Sequence, residues 1–133
     1  MWIMLNDAFF SLVNKDCPPG QLLVRARRPQ DIEKVFGRSV RVERDTDADY
    51  LFRARIAKSD IAEVFEREVN RIDYGNFKDS VMSKDLHDAY MRVWSAMAGV
   101  QDPPPYSTRN WAKQLHVPAR KGRKRTHLTD IIE

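Results

Sequence analysis

The chain spells one pattern twice. Residues Leu23 to Phe36 read LVRARRPQDIEKVF, and Leu51 to Phe65 read LFRARIAKSDIAEVF, so that Leu-x-Arg-Ala-Arg, a break and Asp-Ile-x-x-Val-Phe occur twice, the break being one residue longer in the second copy. The first half of each copy alternates residues of good strand propensity, and the second half spaces its apolar residues as a helix does. Two strand–helix units exclude all-helical and all-β folds. In the first unit Leu22 to Arg28 is the predicted strand, Pro29 opens the helix where a missing N–H costs nothing, Ile32, Val35 and Phe36 form the apolar stripe, and Gly37 ends it. In the second, Tyr50 to Ala57 is the strand, Ser59 the predicted N-cap, and Ile61, Ala62, Val64, Phe65, Val69 and Ile72 the stripe of a longer helix.

Between the copies, SVRVERDTDADY predicts a short strand over Ser39 to Arg44 and an Asp-rich turn over Asp45 to Asp49. Strand, helix, strand, strand, helix is the order of the split βαβ in ferredoxin-like folds. On this expectation the repeat strands are central, parallel neighbours with both helices on one sheet face. Trp2 to Leu5 and Phe9 to Asn14 are further expected strands, and KDCPPGQ, Lys15 to Gln21, connects the second of them into Leu22 as a hairpin. They fill the edge that a missing final strand leaves open. Ser83 is the expected N-cap of a third helix with Leu86, Tyr90, Val93, Trp94 and Met97 on its apolar face, ended by Gly99. The expected fold is therefore α+β: a ferredoxin-like split βαβ core with extra N-terminal strands, a third helix and a basic C-terminal tail. Phe36, Phe52, Ile61, Phe65 and Trp94 are expected in its core. A compact domain over 1–101, a Pro-rich linker at 102–105 (DPPP) and a tail over 106–133 complete the organisation.

With 133 residues, 42% of them apolar, the chain has enough material for one ordinary core. A lone cysteine, Cys17, excludes an intramolecular disulfide and a Cys-based zinc cluster, which makes cytoplasm the expected compartment. Asn6 and Asp7 interrupt the apolar start MWIMLNDAFFSLV, and no basic segment precedes it, so neither a signal peptide nor a membrane anchor is expected.

Charge is unevenly placed. Residues 1–105 carry 16 Lys and Arg against 17 Asp and Glu, whereas residues 106–133 carry seven against two. Arg120, Lys121, Arg123, Lys124 and Arg125 lie in the single run ARKGRKR, a pattern suited either to a phosphate backbone or acidic partner or simply to a solvated terminus. In the strands, alternation sets Arg25 and Arg27 on one face of the first copy, and Arg53 and Arg55 on one face of the second. Paired as neighbours, the copies gather four arginines, and Arg41 of the intervening strand joins them. Like charges so close require anions. These are either the phosphates of a nucleic acid or the protein's own carboxylates, with Glu43, Asp85 and Asp88 the candidates and the third helix laid over the face to supply the last two. Stacking recognition of bases is disfavoured here, because Phe52 belongs on the core side with Ala54 and Ile56 and neither central strand puts an aromatic among the arginines.

Other motifs carry less. DYGNFKDS is a turn permitted by Gly75 and anchored by Tyr74 and Phe77; its functional reading is a recognition loop using Tyr74, Asn76 and Lys78. HDAY brings His87, Asp88 and Tyr90 close together, with Asp73, Tyr74, Asn76 and Lys78 just upstream, a set that admits acid–base chemistry, but Asp and Tyr at a helix junction more often cap and pack, and no Ser or Cys has a nucleophile's context. His87, His116 and His127 are too dispersed for a metal site, and the five scattered glycines form no phosphate loop, so no metal or cofactor is expected.

LLVRARRPQDIEKVFG, YLFRARI, DYGNFKDS and HDAYMRVWSAM together resemble a group of small uncharacterised bacterial and phage proteins. The resemblance implies a compact intracellular α+β domain and carries no active site. Three functions follow in order of expectation: a noncatalytic protein contacting nucleic acid or a nucleoprotein through the arginines and the tail; a phage-type, anti-CRISPR-like inhibitor binding a host protein complex; and a small enzyme using Tyr74, Lys78 and His87. The apolar edge WIML leaves pairing with a second copy, or with another protein, equally open.

Overall fold

A computed structural model describes residues 1–105. In chain order the elements are β1 (Trp2–Met4), β2 (Phe9–Val13), β3 (Gln21–Ala26), α1 (Asp31–Phe36), β4 (Glu43–Arg44), β5 (Phe52–Ala57), α2 (Lys58–Asn70), α3 (Phe77–Ser80) and α4 (Lys84–Ala98). The fold is α+β, with one five-stranded sheet in the order β1-β2-β3-β5-β4. Contacts separate a unit over Met1–Met91 from a second that begins at Arg92.

Every neighbouring pair in the sheet is antiparallel, including β3 with β5. The repeat strands are thus adjacent, as expected, but not parallel. Chain direction explains the correction. The helical connection through α1 returns the chain so that β4 runs with β3, and the Asp45–Leu51 connection then reverses it, so β5 must oppose both of its neighbours. One crossover and one hairpin cannot leave the two copies pointing the same way. β4 is also shorter than the expected Ser39 to Arg44, covering only Glu43 and Arg44. No strand follows α2 among the described residues, and β2 occupies the free side of β3.

Alternation along the strands separates the sheet's two faces. Phe10, Leu12, Val24, Ala26, Ala54 and Ile56 point to one side, where Ile32 of α1 and Ile61 of α2 complete the buried core. Phe36, Phe52 and Phe65 pack against this core half-buried, with Phe36 edge-on to Phe10 at 5.3 Å and to Phe65 at 5.9 Å. Gly37 ends α1 at φ 101°, a conformation that strains any residue with a Cβ. Ser59 does not cap α2. The helix begins at Lys58 directly from β5 without a side-chain cap, and the Lys58 N–H donates to the Gly20 carbonyl at 2.9 Å. Pro29 lies before α1 rather than inside it, and Gln30 makes the turn at φ 67°. Ala62 and Val69 are exposed, and Ile72 lies past the end of α2, so the buried stripe is narrower than expected.

A second cluster forms where Val81, Leu86 and Tyr90 pack with Met4, Phe9 and Phe77. Ser83 caps α4 as expected, its hydroxyl accepting from the Leu86 N–H at 3.4 Å. The Tyr90 hydroxyl lies 2.8 Å from the Leu5 carbonyl and 2.9 Å from that of Ala8, fastening the β1–β2 turn to the helix. Farther along α4 the expected face is wrong. Trp94 is 43% exposed, as are Val93 and Met97 in part, whereas Ser95 and Ala98 are buried. Each residue turns the helix by about 100°, and a stripe as broad as this one does not select between neighbouring orientations.

Candidate functional site

The sheet face opposite the core carries the arginines. Registered partners form a row across all five strands: Trp2 opposite Ser11, Ser11 opposite Arg25, Arg25 opposite Arg53, and Arg53 opposite Glu43. Arg55 lies on the same face one step along, opposite Leu23. Two cations directly opposed in an antiparallel ladder destabilise it unless anions are close.

The protein supplies part of that answer. Arg55 meets Glu43 at 3.3 Å and donates through Nε to the Asp16 carbonyl at 2.6 Å. Arg25 donates to Ser11 Oγ at 2.8 Å, but its nearest carboxylate, Asp49, is 3.9 Å away. Arg53 donates to the Tyr50 carbonyl at 3.3 Å, and its carboxylate, Asp45, is also at 3.9 Å. Side-chain exposures of 17% and 18% show how far Arg25 and Arg53 are drawn from water, and the Nε atoms of both are buried without a hydrogen-bond partner. Leaving such a donor unanswered costs about 1–3 kcal/mol.

Tyr50 is buried rather than strand-forming and sits beneath two guanidinium groups, Arg25 at 4.6 Å and Arg27 at 4.2 Å from its ring centre. The ring's negative face offsets their mutual repulsion. Arg27 stands just past the end of β3, is exposed, and donates to the Asp49 carbonyl at 2.9 Å. Arg41 does not join the row: it precedes the two-residue β4 and is exposed. Nor do Asp85 and Asp88 of α4, the helix expected to lie over this face, pair with the arginines among the described residues. Asp88 meets Lys84 at 2.6 Å and His87 at 3.7 Å, and the carboxylates that approach the row come instead from Glu43, Asp45 and Asp49. The hydrogen bond from Lys84 lowers the Asp88 pKa, and the same bond raises that of Lys84.

The expected recognition loop has structural work. Asn76 caps α3 by accepting from the Lys78 N–H at 3.1 Å, and Tyr74 and Phe77 are in ring contact at 5.9 Å, with Phe77 stacked on Tyr90 at 5.6 Å. Lys78 is exposed. His87 is half-buried and approaches Asp88, not Tyr74 or Lys78. Arg120, Lys121, Arg123, Lys124 and Arg125 lie outside the described residues. Among the described residues no three His, Cys, Asp or Glu side chains gather as a metal site would require, and no helix is long and apolar enough to cross a membrane.

Sequence reasoning missed Tyr50 beneath the guanidiniums and two further aromatic members of this face. Trp2 stands at one end of the row, and the ring of Phe9, edge-on at 6.0 Å, supports it. Alternation within the segment carries the signal, since Trp2, Met4, Phe9 and Ser11 share a side once β1 is registered on β2. Comparison with known proteins yields no match to a family model, a curated protein or a solved structure.

Proposed function

We propose that the chain is a noncatalytic binding protein of the cytoplasm that engages nucleic acid, free or within a nucleoprotein, through the sheet arginines Arg25, Arg27, Arg53 and Arg55 and the basic run Arg120, Lys121, Arg123, Lys124 and Arg125. One observation supports this reading above the others: Arg25 and Arg53 are directly opposed with their carboxylates no nearer than 3.9 Å, and the exposed Arg27 and Arg55 flank them on the same side of the sheet. For stability alone the arrangement is unfavourable, and apolar residues at these positions would serve the sheet better. A phosphate backbone supplies the missing anions.

Binding of labelled DNA and RNA at two salt concentrations tests the proposal. Removing Arg120 to Arg125 is expected to weaken binding to every sequence, lowering the salt slope by about 0.9 for each duplex phosphate that the run neutralises. Replacing the exposed Arg27 and Arg55 with Ala is expected to weaken it further at temperatures where a thermal melt shows both variants still folded, although the melting temperature falls as their contacts to Asp49, Glu43 and Asp16 are lost. No binding by the intact chain at low salt defeats the proposal and transfers the face to a protein partner, as in an inhibitor of a host complex.

A further inference from the structure

We infer that the nucleic acid is single-stranded and that Trp2 stacks on one of its bases, a deepening that rests on the proposed function above. Trp2 is 71% exposed although it belongs to a strand, and it stands on the arginine side of the sheet rather than on the core side. The Phe9 ring meets the indole in a T-shaped contact with ring centres 6.0 Å apart, and the 71% exposure leaves most of the indole surface open to water. Ser11, opposite Trp2, accepts from one Arg25 nitrogen, so the guanidinium reaches onto the strand that neighbours β1, while its other contacts are the Tyr50 ring and Asp49. The spacing of two strands, roughly 10 Å, separates the Trp2 and Arg25 backbones. A nucleotide chain bridges such a distance with a base over the ring and its phosphates toward the arginines.

Duplex DNA does not fit this surface well. Its bases are stacked on one another, and its major groove admits a helix or a two-stranded ribbon rather than the face of a broad sheet. Unstacked bases are what an exposed aromatic on a cationic sheet can use, and because every base has a π-face such contacts tolerate any sequence. The charge of the row selects the polyanion; the indole selects the strand whose bases are free.

The test uses the full chain, a short labelled single-stranded DNA, the RNA of the same sequence and the corresponding DNA duplex, read by fluorescence anisotropy. Single strands are expected to bind more tightly than duplex. Trp2→Ala is expected to weaken single-strand binding roughly 5- to 100-fold, the usual consequence of losing one base–aromatic stack. Trp2→Phe is expected to keep most of the affinity, and neither change should alter duplex binding or the salt slope. Because Trp2 is largely exposed, an unchanged melting temperature is expected to accompany both substitutions, and the phenylalanine variant keeps the comparison decisive if alanine disturbs the edge strand. Duplex preferred over single strand, or equal single-strand binding by wild type and both variants, overturns the stacking role and leaves the binding function intact. No binding to any of the three probes overturns both.

Discussion

Arg28 joins three parts of the fold that sequence spacing does not connect, and a double-mutant cycle with Asp31 measures that joint. The Asp31 carboxylate, only 5% exposed, accepts from Arg28 Nε and Nη2, each at 3.1 Å. The same guanidinium donates to the Asp7 carbonyl at 2.7 Å in the β1–β2 turn and to Ser83 Oγ at 3.4 Å, the cap of α4. Lys34 lies 3.6 Å from Asp31 and donates to the Asp7 carbonyl at 2.6 Å. Hydrogen bonds to charged groups contribute about 1.5–3 kcal/mol each. Arg28 and Lys34 both remain more than one-third exposed, however, so water recovers part of what either loses. Asp31→Ala is therefore expected to cost about 2–3 kcal/mol. Arg28→Ala is expected to cost a similar amount, because it leaves a buried carboxylate with only Lys34, and the coupling energy is expected at about 1–2 kcal/mol. Arg28→Lys should fail to restore stability, since an ammonium cannot make the bidentate pair. Urea denaturation of wild type, both single variants and the double variant gives the four numbers. Additive losses, within about 0.5 kcal/mol, would mean that the joint contributes through packing and not through this ion pair.

Two further outcomes are expected. Tyr90→Phe removes the hydroxyl that serves the Leu5 carbonyl, while the Ala8 carbonyl keeps the Leu5 N–H, so a loss of about 1–2 kcal/mol is expected by chemical denaturation; unchanged stability would show that the turn does not need this fastening. For Lys84 and Asp88 the sign follows from the shifts: the lowered Asp88 pKa gives stability present above the ordinary carboxylate range and lost as pH falls through the lowered value, and the raised Lys84 pKa gives stability lost as pH rises through the raised value. The pair is exposed, so the effect on melting is expected to be small. NMR titration should place Asp88 below an ordinary carboxylate in wild type and return it upward in Lys84→Met; identical titrations would refute the pairing.

Much of the backbone follows from local signals. Gly37 stops α1, Ser83 starts α4, and the KDCPPGQ stretch joins β2 to β3 as a hairpin, each because a particular residue type satisfies a particular backbone demand. The direction of β5 is legible too, by counting reversals from β3 through α1 and β4, but similarity between the copies suggests parallel strands. Resemblance in sequence carries no information about chain direction. The missed helix features are different in kind. Ser59 looks like a cap until tertiary contact brings the Gly20 carbonyl to the Lys58 N–H, and the orientation of α4 around Trp94 depends on packing that a broad apolar stripe leaves undetermined.

The same distinction applies to the site. Because side chains alternate with a period of two, Arg53 shares a face with Arg55, and Arg25 with Leu23, whichever way the strands run. Which residues lie between or beside them is a matter of register, where a slip of one position would exchange the arginine face for the core. Only the pairing of Trp2 with Ser11, and of Ser11 with Arg25, brings an aromatic to the end of the row. The anions show a further layer: an Asp-rich turn is evident from composition, but its folding back over the sheet sets Asp45 and Asp49 near the arginines and Tyr50 beneath two of them. Charge located the face, alternation assembled its arginines, and long-range pairing determined that the carboxylates approach without closing on the central pair. That incomplete closure depends on contacts no local stretch encodes.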